Sequence, residues 1–193
     1  MNDNFVKDLI SQHESTIPKM WENSLHEKWY FRINNQNKGK VGSEIVKQFL
    51  VECGFEAEIV SDKGDIIYKK PEDLEYTKAE VKISKANLEC LLRPKNFITE
   101  ELWFNQLRAK QSGWSEIFLV GIYPNHWRIW RKSREEFEDQ INTLSSFNKK
   151  LSHVEADDPT DKNLRSVGLI KNTKSDNFHE WDEIFNNQKG DLY

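Results

Sequence analysis

Residues 115–123, SEIFLVGIY, form a nearly unbroken apolar run. A run this short, flanked by turn residues, reads as the central, buried strand of a sheet. Such a strand requires strands beside it and other elements packed on the sheet. The neighbouring sequence supplies both. Pro124-Asn125 makes a turn into a partner strand at 126–131. Upstream, "FEAEIV" (55–60), "DIIYKK" (65–70) and "TKAEVKIS" (77–84) read as three short strands, separated by the turn "SDKG" and the loop "PEDLEY".

Helical periodicity brackets these strands. Residues 3–16 carry Phe5, Leu9 and Ile10 on one face, with Asp3 as cap. Pro18 starts a second helix, on which Trp21, Leu25 and Trp29 repeat at i, i+4 and i+8. The polar stretch 32–40 reads as a loop. A third helix is expected at 41–53, with Val41, Ile45, Phe49 and Cys53 along one stripe and Gly54 as its stop. Residues 99–111 read as a helix that Gly113 ends, because Thr99 can cap it, acids lie in its first turn and bases near its end. Ser133 and Glu136 form a capping box for a helix bearing Phe137, Ile141 and Leu144. After the acidic linker 155–163, "RSVGLI" reads as a strand and "DNFHEWDEIF" as a short helix. The expected fold is therefore α/β, a mixed β-sheet flanked by helices. Its core order is helix-strand-strand-strand-helix-strand-strand, with N-terminal helices and a C-terminal extension. The expected segments are 1–40 (N-terminal, helical), 41–150 (core) and 151–193 (linker and extension packed on the same domain).

Composition narrows the class. The 193 residues are 31% charged and 12% aromatic, with seven Trp, which suits a folded chain with a real core. No stretch of 18 apolar residues and no apolar leader is seen, so no membrane association is expected and the compartment reads as cytoplasmic. Lys outnumbers Arg 21 to 7 and Asn occurs 17 times, a bias of the AT-rich, bacterial kind. Cys53 and Cys90 read as buried, reduced thiols. The net charge of −4 argues against a general nucleic-acid binder, but its distribution is uneven. Residues 1–84 hold 12 basic and 15 acidic groups, residues 85–134 hold 9 and 4, and residues 135–193 hold 7 and 13. The middle third is a basic island between acidic flanks.

Residues 77–85, TKAEVKISK, alternate strictly, and their polar side carries Glu80 and Lys82 as neighbours. Glu80-x-Lys82 is the only acidic-x-Lys triplet in the chain. Asp65 opens the preceding strand and can lie beside Glu80 if the two strands pair. Glu44 stands on the helix before the strands, off its apolar stripe. Carboxylates grouped in this way can hold a hard cation such as Mg²⁺, which keeps several waters and needs few protein ligands. An adjacent lysine can position a water or stabilise developing charge. The plain alternative is a solvated sheet face carrying an ordinary Glu–Lys pair.

"GDIIYKK…AEVKIS", following a helix that bears "GSEIVKQFL", resembles the PD-(D/E)XK nuclease superfamily, the restriction-endonuclease-like fold. The element order of residues 41–131 is similar to that superfamily's core. The resemblance implies that Asp65 and Glu80 bind Mg²⁺, with Mn²⁺ as a substitute, that Glu44 joins them, and that Lys82 assists the water. Gly64 stands where the name motif has proline. The implied activity is metal-dependent endonucleolytic hydrolysis of double-stranded DNA, most like a type II restriction enzyme. One site per chain and two strands to cut imply a homodimer. A structure- or damage-directed repair nuclease and a non-cleaving DNA- or protein-binding module on the same fold are the competing readings. Lys38, Lys40, Ser84, Lys85, Arg93, Lys95, Gln106, Arg108 and Lys110 are candidate DNA contacts, and Arg128 and Arg131 flank a Trp-bearing hairpin.

Overall fold

The computed structural model describes residues 21–60, 65–87, 98–107, 113–143, 152–153, 163–172, 176–186 and 191–192. The expected helix at 3–16, the stretch 88–97 with Cys90, and the acidic linker up to 162 lie outside them.

Helix α1 (Glu27–Tyr30) is a single turn, and helix α2 (Asn35–Glu52) is the long one. Strands β1 (Glu56–Ile59), β2 (Ile66–Lys69) and β3 (Thr77–Lys85) follow. Then come β4 (Ile98–Leu107), β5 (Glu116–Ile122), β6 (Trp127–Ser133) and helix α3 (Arg134–Thr143). Strands β7 (Ser152–His153), β8 (Asn163–Asn172), β9 (Asp182–Asn186) and β10 (Asp191–Leu192) complete the chain. A seven-stranded sheet has the order β1-β2-β3-β5-β6-β9-β10, and a three-stranded sheet has the order β4-β8-β7. Within the large sheet only β3 and β5 run parallel, so it is mixed.

The apolar run is the pivot of this architecture. On β5, Phe118, Val120 and Ile122 join a core with Val46, Phe49 and Leu50 of α2. Ile117 and Leu119 face the other way, into a core with Leu102 and Phe104 of β4, Val167 and Leu169 of β8, and Phe137 of α3. The run is apolar on both faces because one face meets a helix and the other a second sheet. Close approach is required at Gly121, where a Cβ would lie 2.8 Å from the Trp130 ring.

The expected helix at 99–111 is instead strand β4. Leu102 and Phe104 are two residues apart and both fully buried, which a helix cannot arrange on one face but a strand must. Helix α2 begins at Asn35 rather than 41, because the Asn34 side chain accepts the Asn37 N–H at 2.9 Å and caps it. The expected boundary at residue 40 thus falls inside a helix.

The buried positions of α2 are Gly42, Ser43, Val46, Phe49 and Leu50. A stripe of four-residue steps drifts by about 40° per step, so the expected stripe rotates off the core and Cys53 is exposed. Gly54 does end the helix, with φ +87°. The Phe55 N–H reaches Leu50 O and the Gly54 N–H reaches Val51 O, a Schellman motif. Trp21, Leu25 and Trp29 do not share a helix. Asn23 adopts φ 61° and breaks the turn, and Leu25 is 66% exposed.

The Ser133–Glu136 capping box forms as expected, with each side chain taking the other residue's N–H. In the C-terminal segment, the expected short helix is a 3₁₀ turn (Phe178–Glu180) leading into β9. Trp181 and Phe185 enter opposite cores, because the β6–β9 register skips Ile184 and this bulge reverses the alternation of faces.

Candidate active site

Strand β3 outlasts its neighbour. β2 pairs with β3 only at Thr77, Lys78 and Ala79. At the far end of the same edge, Asn87 bridges to Glu101 of β4. Between these two attachments the edge of β3 opens into a cleft of about 470 Å³. The first turns of α2 lie over one side and β4 over the other, so Lys38 and Gly39 face Trp103 and Asn105 across it, with Asp65, Lys82 and Lys85 at its base.

Asp65 terminates the β2–β3 ladder. Its N–H donates to Ala79 O at 2.9 Å, and its Oδ2 accepts the Val81 N–H at 2.8 Å. The side chain therefore takes over where the strand stops, and its orientation is fixed by two backbone bonds. Glu80 and Lys82 project from the face of β3 opposite α2, in register with Ile117 and Leu119. Lys82 Nζ lies 2.5 Å from Glu80 Oε1, with side chains 22% and 14% exposed. Burial first and the Glu80 charge second push the Asp65 carboxyl above its ordinary range, against the Val81 N–H and Lys82, which pull it down.

On the α2 side, Lys85 and Lys38 approach each other. Burial, then the Lys38 charge, lowers the Lys85 ammonium below its usual value. Lys38 Nζ sits 4.6 Å from the Tyr30 ring centroid and Lys85 Nζ 5.4 Å from that of Phe31. The Tyr30 hydroxyl oxygen accepts the Lys85 N–H, and burial pushes that hydroxyl up to about 12, so it stays protonated at neutral pH. Among the described residues neither lysine has a carboxylate partner, whereas Lys82 does.

The structure thus brings Asp65, Glu80, Lys82, Lys38 and Lys85 to one edge. It does not bring Glu44 there. Glu44 is two residues from Gly42, whose Cα side abuts Ile83 (a Cβ would lie 3.1 Å from Ile83 Cβ). Two residues are about 200° around a helix, so Glu44 points away from β3. It is exposed and lies 4.0 Å from Lys47. Among the described residues no three acids, His or Cys gather as a metal-holding group. The expected three-carboxylate set therefore reduces to Asp65 and Glu80. Two carboxylates still fit Mg²⁺, which commonly uses one or two plus waters and substrate phosphate.

Ser84 lines the cleft but is buried, and its hydroxyl accepts the Trp103 N–H at 3.2 Å, which ties β4 to β3. Lys40 is exposed on α2 and does not line the cleft. Gln106 belongs to β4, not to a helix. Its side chain, and all of Arg93, Lys95, Arg108 and Lys110, lie outside the described residues. Arg128 is committed internally, bidentate to Glu183 at 2.8 Å and 2.7 Å from Glu100, and Arg131 lies 3.4 Å from Asp182.

Tyr30, Asn35, Trp103 and Asn105 line the cleft without having been expected there. The two β4 residues were detectable: Glu101, Trp103 and Asn105 alternate with Leu102 and Phe104. No protein-family model matches the chain, and no curated protein or solved structure matches it significantly.

Proposed function

We propose that this chain is a metal-dependent endonuclease acting on DNA, on a core of the restriction-endonuclease-like kind. The observation that carries this reading is that Asp65, Lys82 and two further lysines line one cleft at the edge of β3, with Glu80 beside it on the same strand, paired to Lys82. A carboxylate raised by burial and by a neighbouring acid's charge, as Asp65 is, suits a cation, and two neighbouring ammoniums suit an anion. A phosphodiester with a divalent ion supplies both. The order α2, β1, β2, β3, β5, β6, with β3 and β5 parallel, agrees with such a core. The crossover carries strand β4 where a helix was expected.

Asp65 and Glu80 would hold Mg²⁺ or Mn²⁺, which stabilises charge at phosphorus and acidifies a bound water. Asp65 is held rigid for this by the Val81 N–H. Lys82, paired with Glu80, would orient the attacking water or balance charge on the phosphoryl oxygens. Lys38 and Lys85 hold the phosphate backbone beside them. Cleaving both strands of a duplex with one such cleft per chain takes two copies.

The test is incubation of plasmid and linear duplex DNA with the protein in Mg²⁺, Mn²⁺ or EDTA. We expect metal-dependent cleavage that drops roughly 100-fold or more in Asp65→Asn and Lys82→Ala. Asp65→Asn keeps an oxygen for the Val81 N–H, so its melting temperature serves as a folding control. Discrete bands indicate sequence-specific restriction, and cleavage confined to junctions, nicks or flaps indicates a repair-type enzyme. Undiminished cleavage in either variant would sink the assignment. A second reading, a non-cleaving DNA-binding module, draws on the closed Glu80–Lys82 pair and the outward Glu44. It predicts DNA binding without cleavage in any metal.

A further inference from the structure

The walls of the cleft differ in chemistry. One presents Lys38, with Lys85 near it at the base, and the other presents Trp103. Trp103 is braced for contact. Its ring lies over β8 at Gly168, where a Cβ would come within 3.1 Å of it, and its indole N–H donates to Glu101. The Ser84 hydroxyl holds its backbone N–H. A half-buried indole seated on a glycine and pinned at two polar points loses little freedom when something stacks on it.

We propose that the cleft takes an unpaired stretch of DNA, its phosphate at Lys38 and Lys85 and a base against Trp103. This rests on the nuclease reading and names the form of DNA at that site. In a duplex the base faces are stacked on one another and only phosphates and base edges are presented. An aromatic face and two phosphate-seeking lysines inside one cleft of about 470 Å³ match a strand whose bases are splayed out.

The experiment measures binding in EDTA, where no cleavage intervenes. Labelled single-stranded oligonucleotide and blunt duplex of the same length are titrated across a salt series. The single strand is expected to bind more tightly. Trp103→Ala should weaken it roughly tenfold, with Trp103→Phe retaining most of the affinity. Lys38→Gln with Lys85→Gln should reduce the slope of log affinity against log salt by about 1.4. Equal or tighter binding of the duplex by the wild-type protein overturns the inference, without need of any variant. So does wild-type affinity for the single strand in folded Trp103→Ala. The two ideas fail separately. DNA cleavage without single-strand preference defeats only this inference, and single-strand binding without cleavage in any metal defeats only the enzyme.

Discussion

His26 shows how one residue ties a segment to the domain. Its Nδ1 accepts the Trp29 indole N–H at 2.9 Å, and its own N–H donates to Pro124 O at 3.0 Å. The ring is buried between Trp29 and Trp127. Burial lowers its pKa below the ordinary value of 6.5, so the unfolded chain binds the proton more readily than the folded one. Stability from this residue is complete above pH 6.5 and is lost as pH falls from there toward the folded value. Thermal melts at pH 7.5 and 5.5 should show a lower Tm at the acidic pH, and a smaller difference in His26→Gln. A loss of about 1 kcal/mol corresponds to about 2–4 °C in a chain of this size. At this scale the sequence was informative where a residue's role follows from its immediate neighbours. Asp65 at a strand start and Glu80-x-Lys82 within an alternating strand are local facts. Glu44 was misjudged because the direction in which a helix side chain points depends on which face packs, and Gly42 rather than Val41 decides that.

Among the elements, α2 sets the width of the cleft. Gly42 lets the helix approach β3 closely, and Lys38 and Gly39 stand one turn earlier. Gly42→Leu would push the helix off Ile83. We expect a cost of about 1–3 kcal/mol from overpacking, read as a lower midpoint in urea, and weakened DNA binding because Lys38 moves with the helix. A midpoint equal to that of wild type would show that the contact does not set the packing. Strand β4 marks the limit of reading elements one at a time. Its cap residue, early acids and late bases all fitted a helix, yet Leu102 and Phe104 required period two. The deciding partner, β8, lies some sixty residues downstream, beyond any local window. The central strand β5, by contrast, was legible because both its faces are buried whatever covers them.

At the scale of the whole molecule, the described C-terminal strands complete both sheets. β8 pairs along most of β4, and β9 extends the large sheet beyond β6. Arg128 of β6 joins Glu100 of β4 and Glu183 of β9, a half-buried clasp across both sheets. A chain ending at residue 162 would lose β8 and β9, strip cover from Leu102, Phe104 and Trp130, and leave two sheet edges unpaired. We expect it to aggregate and lose near-UV circular dichroism, whereas a chain ending at Asn186 keeps both. A soluble, native-like chain ending at 162 would refute this account. The same topology has a consequence in time. As the polypeptide leaves the ribosome, α2 and β1 to β3 can pack early, but β4, held to β3 only through Asn87 and Ser84, lacks the strand it pairs with along most of its length until residues 163–172 emerge. Pairings so distant along the chain form slowly. The wall that carries Trp103 is therefore the last part of the cleft to be built, and a nascent chain carries its lysines and carboxylates from Lys85 until Asn172 has been added without a finished pocket around them.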